Sequence, residues 1–301
     1  MENGHKLGSS VLVLGGTGFL GSRLTASLRD DGQNVAVIGA PTTPRAQASL
    51  GRRIAAAIRR HAPSAVFHLI GSGTPTPRNG LEYHVAKNVG TAQIVATALC
   101  TADFDGTLVF TSTGAVYGNT PVAARECTPP RPLTSHAWSK LEAERRLGDA
   151  APRVVVARLF QVYGEGQRKL VVYDLARRIH LENGPLHLQS TGHETRDLAY
   201  VDDVAAALGA LAADQPSWPP GAAIFNVASG VGIRIDTLAR RLLYLAGQGH
   251  REVIPAPEAD GNPLVASVGD PTKLGRVGIT IPTVSDDTLM RTLEWTAAHV
   301  D

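Results

Sequence analysis

Apolar residues fall into short unbroken runs separated by longer stretches of helical periodicity. VLVL (11–14), NVAVI (34–38), AVFHLI (65–70), TLVFTS (107–112) and RVVVAR (153–158) are continuous rather than alternating. Strands of a parallel sheet covered on both faces have this character. Between them, 18–30, 50–61, 81–100 and 135–148 read as helices. The alternation predicts an α/β fold with a doubly wound parallel sheet. The segment GAPTTPRAQAS (39–49) reads as a loop. Only one helix and no third strand fit between NVAVI and AVFHLI, so one crossover is trimmed. From about Phe160 the elements shorten and Gly and Pro become frequent. We therefore expect a first domain over 1–160 and a smaller C-terminal substrate lobe over 161–301. Within the lobe, about 196–230 is expected to pack back on the first domain, and QPSWPPG (215–221) reads as a loop.

With 301 residues, 43% hydrophobic and 19% charged, the chain can bury a large core and carry a second lobe. A net charge of +2 without basic runs argues against a nucleic-acid partner. No run approaches the roughly 18 apolar residues of a membrane span, and residues 1–9 lack the apolar stretch of a signal peptide. Cys100 and Cys127 are far apart and suit a reducing compartment. A cytoplasmic protein is expected.

GGTGFLG (15–21) follows the first strand and opens a helix. Gly15 permits the tight turn, Gly18 lets backbone approach a pyrophosphate, and Gly21 allows close helix-sheet packing. The helix N-terminus adds N–H donors. This is the dinucleotide turn of a Rossmann domain. The second strand runs into Gly39-Ala40-Pro41-Thr42-Thr43 without the acid that takes the adenosine ribose hydroxyls of NAD. Arg45 follows, and a guanidinium matches a 2′-phosphate. NADP(H) is therefore the expected cofactor; the alternative is that Arg45 is a solvated surface charge.

Further motifs carry a resemblance over almost the whole chain. FHLIGSG (67–73), NVGT (88–91), TSTGAVYG (111–118), RLFQVYG (158–164), TRDLAYVDDVAAAL (195–208) and FNVASG (225–230), together with the glycine turn, resemble the extended short-chain dehydrogenase/reductases, the branch of nucleotide-sugar epimerases and dehydratases. The resemblance implies a catalytic site of Thr113, His136 and Lys140. It also implies a cofactor site of Gly15, Thr17, Gly18, Phe19, Leu20, Gly21, Gly39, Arg45, Leu69, Ile70, Gly71, Thr111, Lys140, Phe160 and Val162. Two departures stand out. HAWSK (136–140) has His136 where the family keeps the tyrosine of a Tyr-x-x-x-Lys pair, and Gln161 replaces an asparagine that helps hold a nucleotide-sugar phosphate.

His136 and Lys140 stand at i and i+4, on one helix face. A lysine charge stabilises phenolate but destabilises imidazolium. Three readings follow: imidazolium sustained by an acidic partner, neutral imidazole polarising a carbonyl with the proton drawn from solvent or a substrate hydroxyl, or a dead site. Among divergent members the pattern is similar to ketoreductases of antibiotic biosynthesis that act on angucyclinone-like aromatic polyketides. The first reading is thus an NADPH-dependent ketoreductase acting on a small aromatic ketone. A nucleotide-sugar epimerase or 4-ketoreductase is the rival enzyme, and a catalytically inactive NADP-binding sensor is the rival from another class.

By the same resemblance the lobe residues Arg168, Lys169, Arg177, Arg178 and Arg196 can clamp a diphosphate; for all but Arg196 a charged helix face is an equal reading. His180, His187 and His193 lack metal-ligand spacing, so no metal site is expected. His68 sits inside a strand and reads as a core histidine. No G-x-S-x-G elbow supports a hydrolase. The oligomeric state is left open.

Overall fold

The computed structural model describes residues 8–73, 80–120, 122–213, 221–257 and 265–300. In chain order it contains β1 (Ser10–Leu14), α1 (Phe19–Asp30), β2 (Asn34–Ile38), α2 (Pro44–His61), β3 (Ala65–His68), α3 (Leu81–His84), a π-helical turn (Val85–Gly90), α4 (Thr91–Thr101), β4 (Thr107–Thr113), α5 (Ser135–Leu147) and β5 (Arg153–Leu159). There follow β6 (Gln161–Tyr163), α6 (Val171–Leu181), β7 (Leu186–His187), β8 (Thr195–Tyr200), α7 (Val201–Ala212), β9 (Gly221–Val227) and β10 (Gly232–Arg234). The chain ends with α8 (Ile235–Leu245), β11 (Val253–Ile254), β12 (Ala266–Ser267), α9 (Thr272–Arg276) and α10 (Asp286–His299). Residues 215–220 of the loop expected at 215–221 lie outside the described residues; Gly221 opens β9.

Two compact units emerge. The first draws on 1–116, 132–158 and 205–225, the second on 117–131, 159–204 and 226–301. Segment 117–131, which sequence order puts inside the first domain, groups with the second unit.

The first unit holds a six-stranded sheet of order β2-β1-β3-β4-β5-β9. β1 pairs in parallel with β2 and β3, and β3 with β4. Leu12, Leu14, Val66, Leu108 and Phe110 from the strands meet Leu50, Ile54, Val95 and Leu99 from α2 and α4 in a continuous core. After β2 the chain returns through α2 alone to β3, on the far side of β1. The trimmed crossover is therefore real: β2 ends the sheet. α2 starts earlier than the loop-like composition of 39–49 suggests. Thr43 is its N-cap, with Oγ1 accepting from Ala46 N at 3.2 Å, and Pro44 fills the first helical position, where a missing N–H costs nothing.

One buried ion pair ties helix to sheet. Arg158 of β5 binds Glu144 of α5 through two N–H···O contacts of 3.0 and 2.6 Å, and Ser112 of β4 donates to the same carboxylate.

In the second unit β8 is flanked by β10, antiparallel, and β12, parallel, with β6 also parallel to β8. Asp197 on β8 anchors the loops there, accepting from the backbone N–H of Ser229, Gly230 and Gly269.

Candidate active site

The chain leaves β1 for β2 on one side and then crosses to β3 on the other, so β1 and β3 frame the topological switch point. Open α/β sheets bind ligands outside the strand ends at such a point. The glycine turn lies there. Gly15 has φ +90, and a Cβ on it would meet Leu69 C and Ile70 N at 3.1 Å. The turn therefore rests directly on the chain leaving β3. A Cβ on Gly21 would lie 2.1 Å from Gly15 O, which only glycine avoids, whereas Gly18 meets nothing closer than 3.4 Å. Thr17 and Gly18 are exposed, and a Cβ on Gly39 would touch Thr17 Oγ1 at 3.3 Å, so the end of β2 adjoins the turn.

Gly18 caps α1 without any side-chain hydrogen bond, and the first turn carries no acid. The first N–H groups of the helix, including those of Phe19 and Leu20, keep their donor capacity. This cradle fits the pyrophosphate of a dinucleotide.

Lys140 is buried, and its Nζ donates to Thr111 O at 2.8 Å. A Cβ on Gly71 would stand 3.0 Å from that Nζ and 2.8 Å from Asn88 Oδ1. Burial draws the Lys140 ammonium down to about 8, while the Glu144 charge works in the opposite sense. Asn88 fixes the neighbourhood. Its Oδ1 accepts from Ser72 N at 2.8 Å, its Nδ2 donates to Ser139 Oγ at 2.8 Å, and Ser139 Oγ donates to His136 O at 2.8 Å. Helix α5 and the loop after β3 are thereby joined through one amide side chain.

Thr113 ends β4, and its Oγ1 accepts from Ala115 N at 3.2 Å, which leaves the hydroxyl hydrogen to donate. The ring of His136 stands edge-on to that of His84, with centroids 5.7 Å apart. His84 is fully buried, and burial lowers its pKa, so it is neutral near pH 7. Sequence reasoning missed His84, Asn88 as a tether, and Ser139. Only the places of His84 and Asn88 on a helical stretch preceding the HAWSK segment, and of Ser139 within that segment, could have marked them.

The other expected residues are placed as follows. Arg45 belongs to the first turn of α2 and not to a loop; it is exposed. Thr111 is buried, and its hydroxyl donates to His68 O at 3.2 Å, so it reaches the site only through the carbonyl that holds Lys140. Ile70 is a core residue. Phe160 and Val162 lie in the second unit, where Phe160 packs closely on Gly269. Arg178 is not solvent-facing: its side chain is 12% exposed and paired with Glu182. Arg196 donates to Thr195 O and Val265 O, and Arg168 lies over Trp295. Among the described residues no group of three or more His, Cys, Asp or Glu could hold a metal, and no helix is long and apolar enough to cross a membrane.

His68 is fully buried against Phe110, ring centroids 5.2 Å apart. Burial, and secondarily the Lys140 charge, push its pKa from 6.5 down to about 3. The unfolded chain therefore binds a proton below pH 6.5 that the folded ring refuses. Stability is expected to fall with pH between those two values, by up to about 1.4 kcal/mol per pH unit from this residue. Urea titrations of the parent and His68→Leu at pH 6.5 and 4.5 check this. The variant should show the shallower pH dependence; identical slopes would discharge His68.

A family model described as the NAD dependent epimerase/dehydratase family matches residues 11–228, and the chain belongs to that family. It is 30% identical to the UDP-glucose 4-epimerase of Azospirillum brasilense, over 88% of this chain and 82% of that one. A UDP-glucose 4-epimerase of Thermus thermophilus solved with NAD superposes at TM-score 0.80 with 28% identity, covering 97% of this chain and all of that one. RMD from Pseudomonas aeruginosa, solved with NADPH, gives 0.81 and 26%, with coverage of 97% and 100%.

Proposed function

We propose that this chain is a nicotinamide-dependent oxidoreductase that oxidises a carbinol, or reduces a ketone, on the sugar of a nucleoside diphosphate sugar, as an epimerase or 4-ketoreductase. The observation that carries the reading is the buried Lys140, held on Thr111 O beside Gly71, in a chain that matches a nucleotide-sugar epimerase over most of its length. Gly15, Thr17, Gly18, Phe19, Leu20 and Gly21 would hold the pyrophosphate. Gly39 and Arg45 would face the adenosine ribose, Leu69, Ile70 and Gly71 would line the crevice, and Lys140 would hold the nicotinamide ribose. Phe160 and Val162 are assigned to the nicotinamide by resemblance. A nicotinamide held there would supply or accept the hydride.

Thr113 Oγ–H donates to the substrate oxygen. His136, as neutral imidazole beside a lysine charge, takes the hydroxyl proton in the oxidising direction and returns it in the reducing one. Imidazole is a competent base for an alcohol but a poorer acid than tyrosine. That substitution favours a second reading, reduction of an angucyclinone-like aromatic ketone whose neighbouring phenol supplies the proton.

The test uses purified protein with both substrates. UDP-glucose with cofactor, followed by separation of the epimers, and a 4-keto nucleotide sugar with NADPH, followed at the reduced-nicotinamide band, should show turnover. Reduction of a polycyclic aromatic ketone bearing an adjacent phenol, without turnover of either sugar, would install the second reading. Tight cofactor binding with no turnover would leave a sensor. His136→Phe should lower activity by about 10²- to 10⁴-fold, the worth of a general acid–base group. A loss of only about 5- to 150-fold, the worth of one polar contact, would mean that the proton passes through solvent or substrate and not through His136.

NADP(H) is expected to bind more tightly than NAD(H), because no acid follows β2 and Arg45 stands in the first turn of α2. Calorimetry of Arg45→Ala should show the preference reduced on the order of tenfold. Equal affinities in the parent would refute the assignment.

A further inference from the structure

The mechanism above leaves the buried His84 unused. His84 closes α3 immediately before the π-helical turn. It has no exposed surface, and among the described residues neither ring nitrogen has a hydrogen-bond partner. Two polar atoms in that state are costly, and buried polar groups in native proteins find partners. The rings packed on His84 are those of Tyr83, at 5.6 Å and edge-on, and His136, at 5.7 Å and edge-on.

The segments that carry the two histidines are also linked by a relay of polar side chains. Asn88, in the turn that follows His84, donates to Ser139, and Ser139 donates to the carbonyl of His136 itself. The two segments that carry the rings are thus joined by one buried and one part-buried hydrogen bond. The last side-chain torsion of a histidine is soft, so the rings can rotate within this contact.

We propose that His84 is the positioning residue of His136: its imidazole accepts the N–H that His136 turns toward it, and so fixes which His136 nitrogen is left bare for the proton of the substrate hydroxyl. Setting a tautomer through the hydrogen bond on the far nitrogen is how a histidine base is normally oriented. Here the orienting group is a second imidazole. A carboxylate would draw His136 toward imidazolium, whereas a neutral ring orients it without that effect. This inference rests on His136 acting at the reacting centre.

Nitrogen NMR of the full chain labelled in histidine tests the proposal without any substrate, with signals assigned through His84→Asn and His136→Phe. The expected result is a scalar coupling between ring nitrogens of His84 and His136, with His136 in one neutral tautomer that becomes a mixture in His84→Phe. Absence of the coupling, with the His136 tautomer unchanged in the variant, would overturn the proposal. In kinetics, His84→Phe should lower kcat about tenfold, the worth of one hydrogen bond, with KM little changed, and His84→Asn, which keeps an acceptor, should recover most of it. In a His136→Phe background His84→Phe should cost nothing further; an equal loss in both backgrounds would count against the pairing. A protein that shows the coupling but turns over no nucleotide sugar refutes the functional reading and leaves the positioning intact.

Discussion

Glu144→Ala is expected to destabilise the protein by about 3–5 kcal/mol, the usual result of breaking a buried ion pair from one side. The side chains of Arg158 and Glu144 are 3% and 6% exposed, so water does not take over when the carboxylate goes. Arg158 loses two charge-assisted bonds, and Ser112 loses its acceptor. Since domains are stable by roughly 5–15 kcal/mol in total, the variant should unfold at much lower denaturant or fail to accumulate. Glu144 also supports the charge on Lys140, so the ammonium of any folded variant should titrate lower still. A double replacement, Glu144→Met with Arg158→Met, should recover much of the loss, because neither charge is then stranded. Denaturant titration of the three proteins decides it; a single-variant cost under about 1 kcal/mol would mean that the pair behaves as a surface contact.

Gly21→Ala is expected to damage both fold and cofactor binding, while Gly18→Ala should damage binding alone. At Gly21 the new carbon would lie 2.1 Å from Gly15 O and 2.8 Å from Gly15 C and Gly16 Cα. All three are backbone atoms of the turn, so no rotamer change relieves the clash and the turn must open. Overpacking of this kind costs about 1–3 kcal/mol or more, and displacing the cradle by about an ångström should weaken its function on the order of 100-fold. At Gly18 the nearest atom is Gly15 O at 3.4 Å and φ is −81, so alanine fits the free protein. It would nevertheless stand where a phosphate approaches. Thermal melts and cofactor calorimetry on both variants separate the effects. Normal cofactor affinity in a folded Gly21→Ala protein would refute the role given to the turn.

All five strands expected in the first 160 residues are present; β1, β3, β4 and β5 were readable because burial on both faces leaves an unbroken apolar run, whereas β2 keeps such a run although it is only partly buried. Two helical features were harder to see. The first turn of α2 is written in Thr, Pro and Arg, residues that average to a loop, and only the pairing of a Thr43 cap with Pro44 betrays it. The stretch 81–100 has helical periodicity throughout, yet a π-helical turn interrupts it at Val85–Gly90; a change from i+4 to i+5 bonding leaves the side-chain pattern almost intact. The glycine turn could be named from its local spacing, and Thr113, His136 and Lys140 from the resemblance of TSTGAVYG and HAWSK to family motifs. His84 could not, because its meaning lies in a ring 52 positions away. For the same reason no sequence pattern assigns 117–131 to the second unit.

The sheet that stops at β2 has a consequence for the solution behaviour of the chain. A sheet ending there presents a row of main-chain donors and acceptors on its outer side, a template for any extended segment that comes near. The five residues of β2 are short, and Asn34 is exposed at one end, which limits how much of a foreign strand could be recruited. Variants that lengthen β2 or make its rim more apolar should therefore aggregate on heating well before their folding midpoint moves, and a lysine placed on that rim should suppress it.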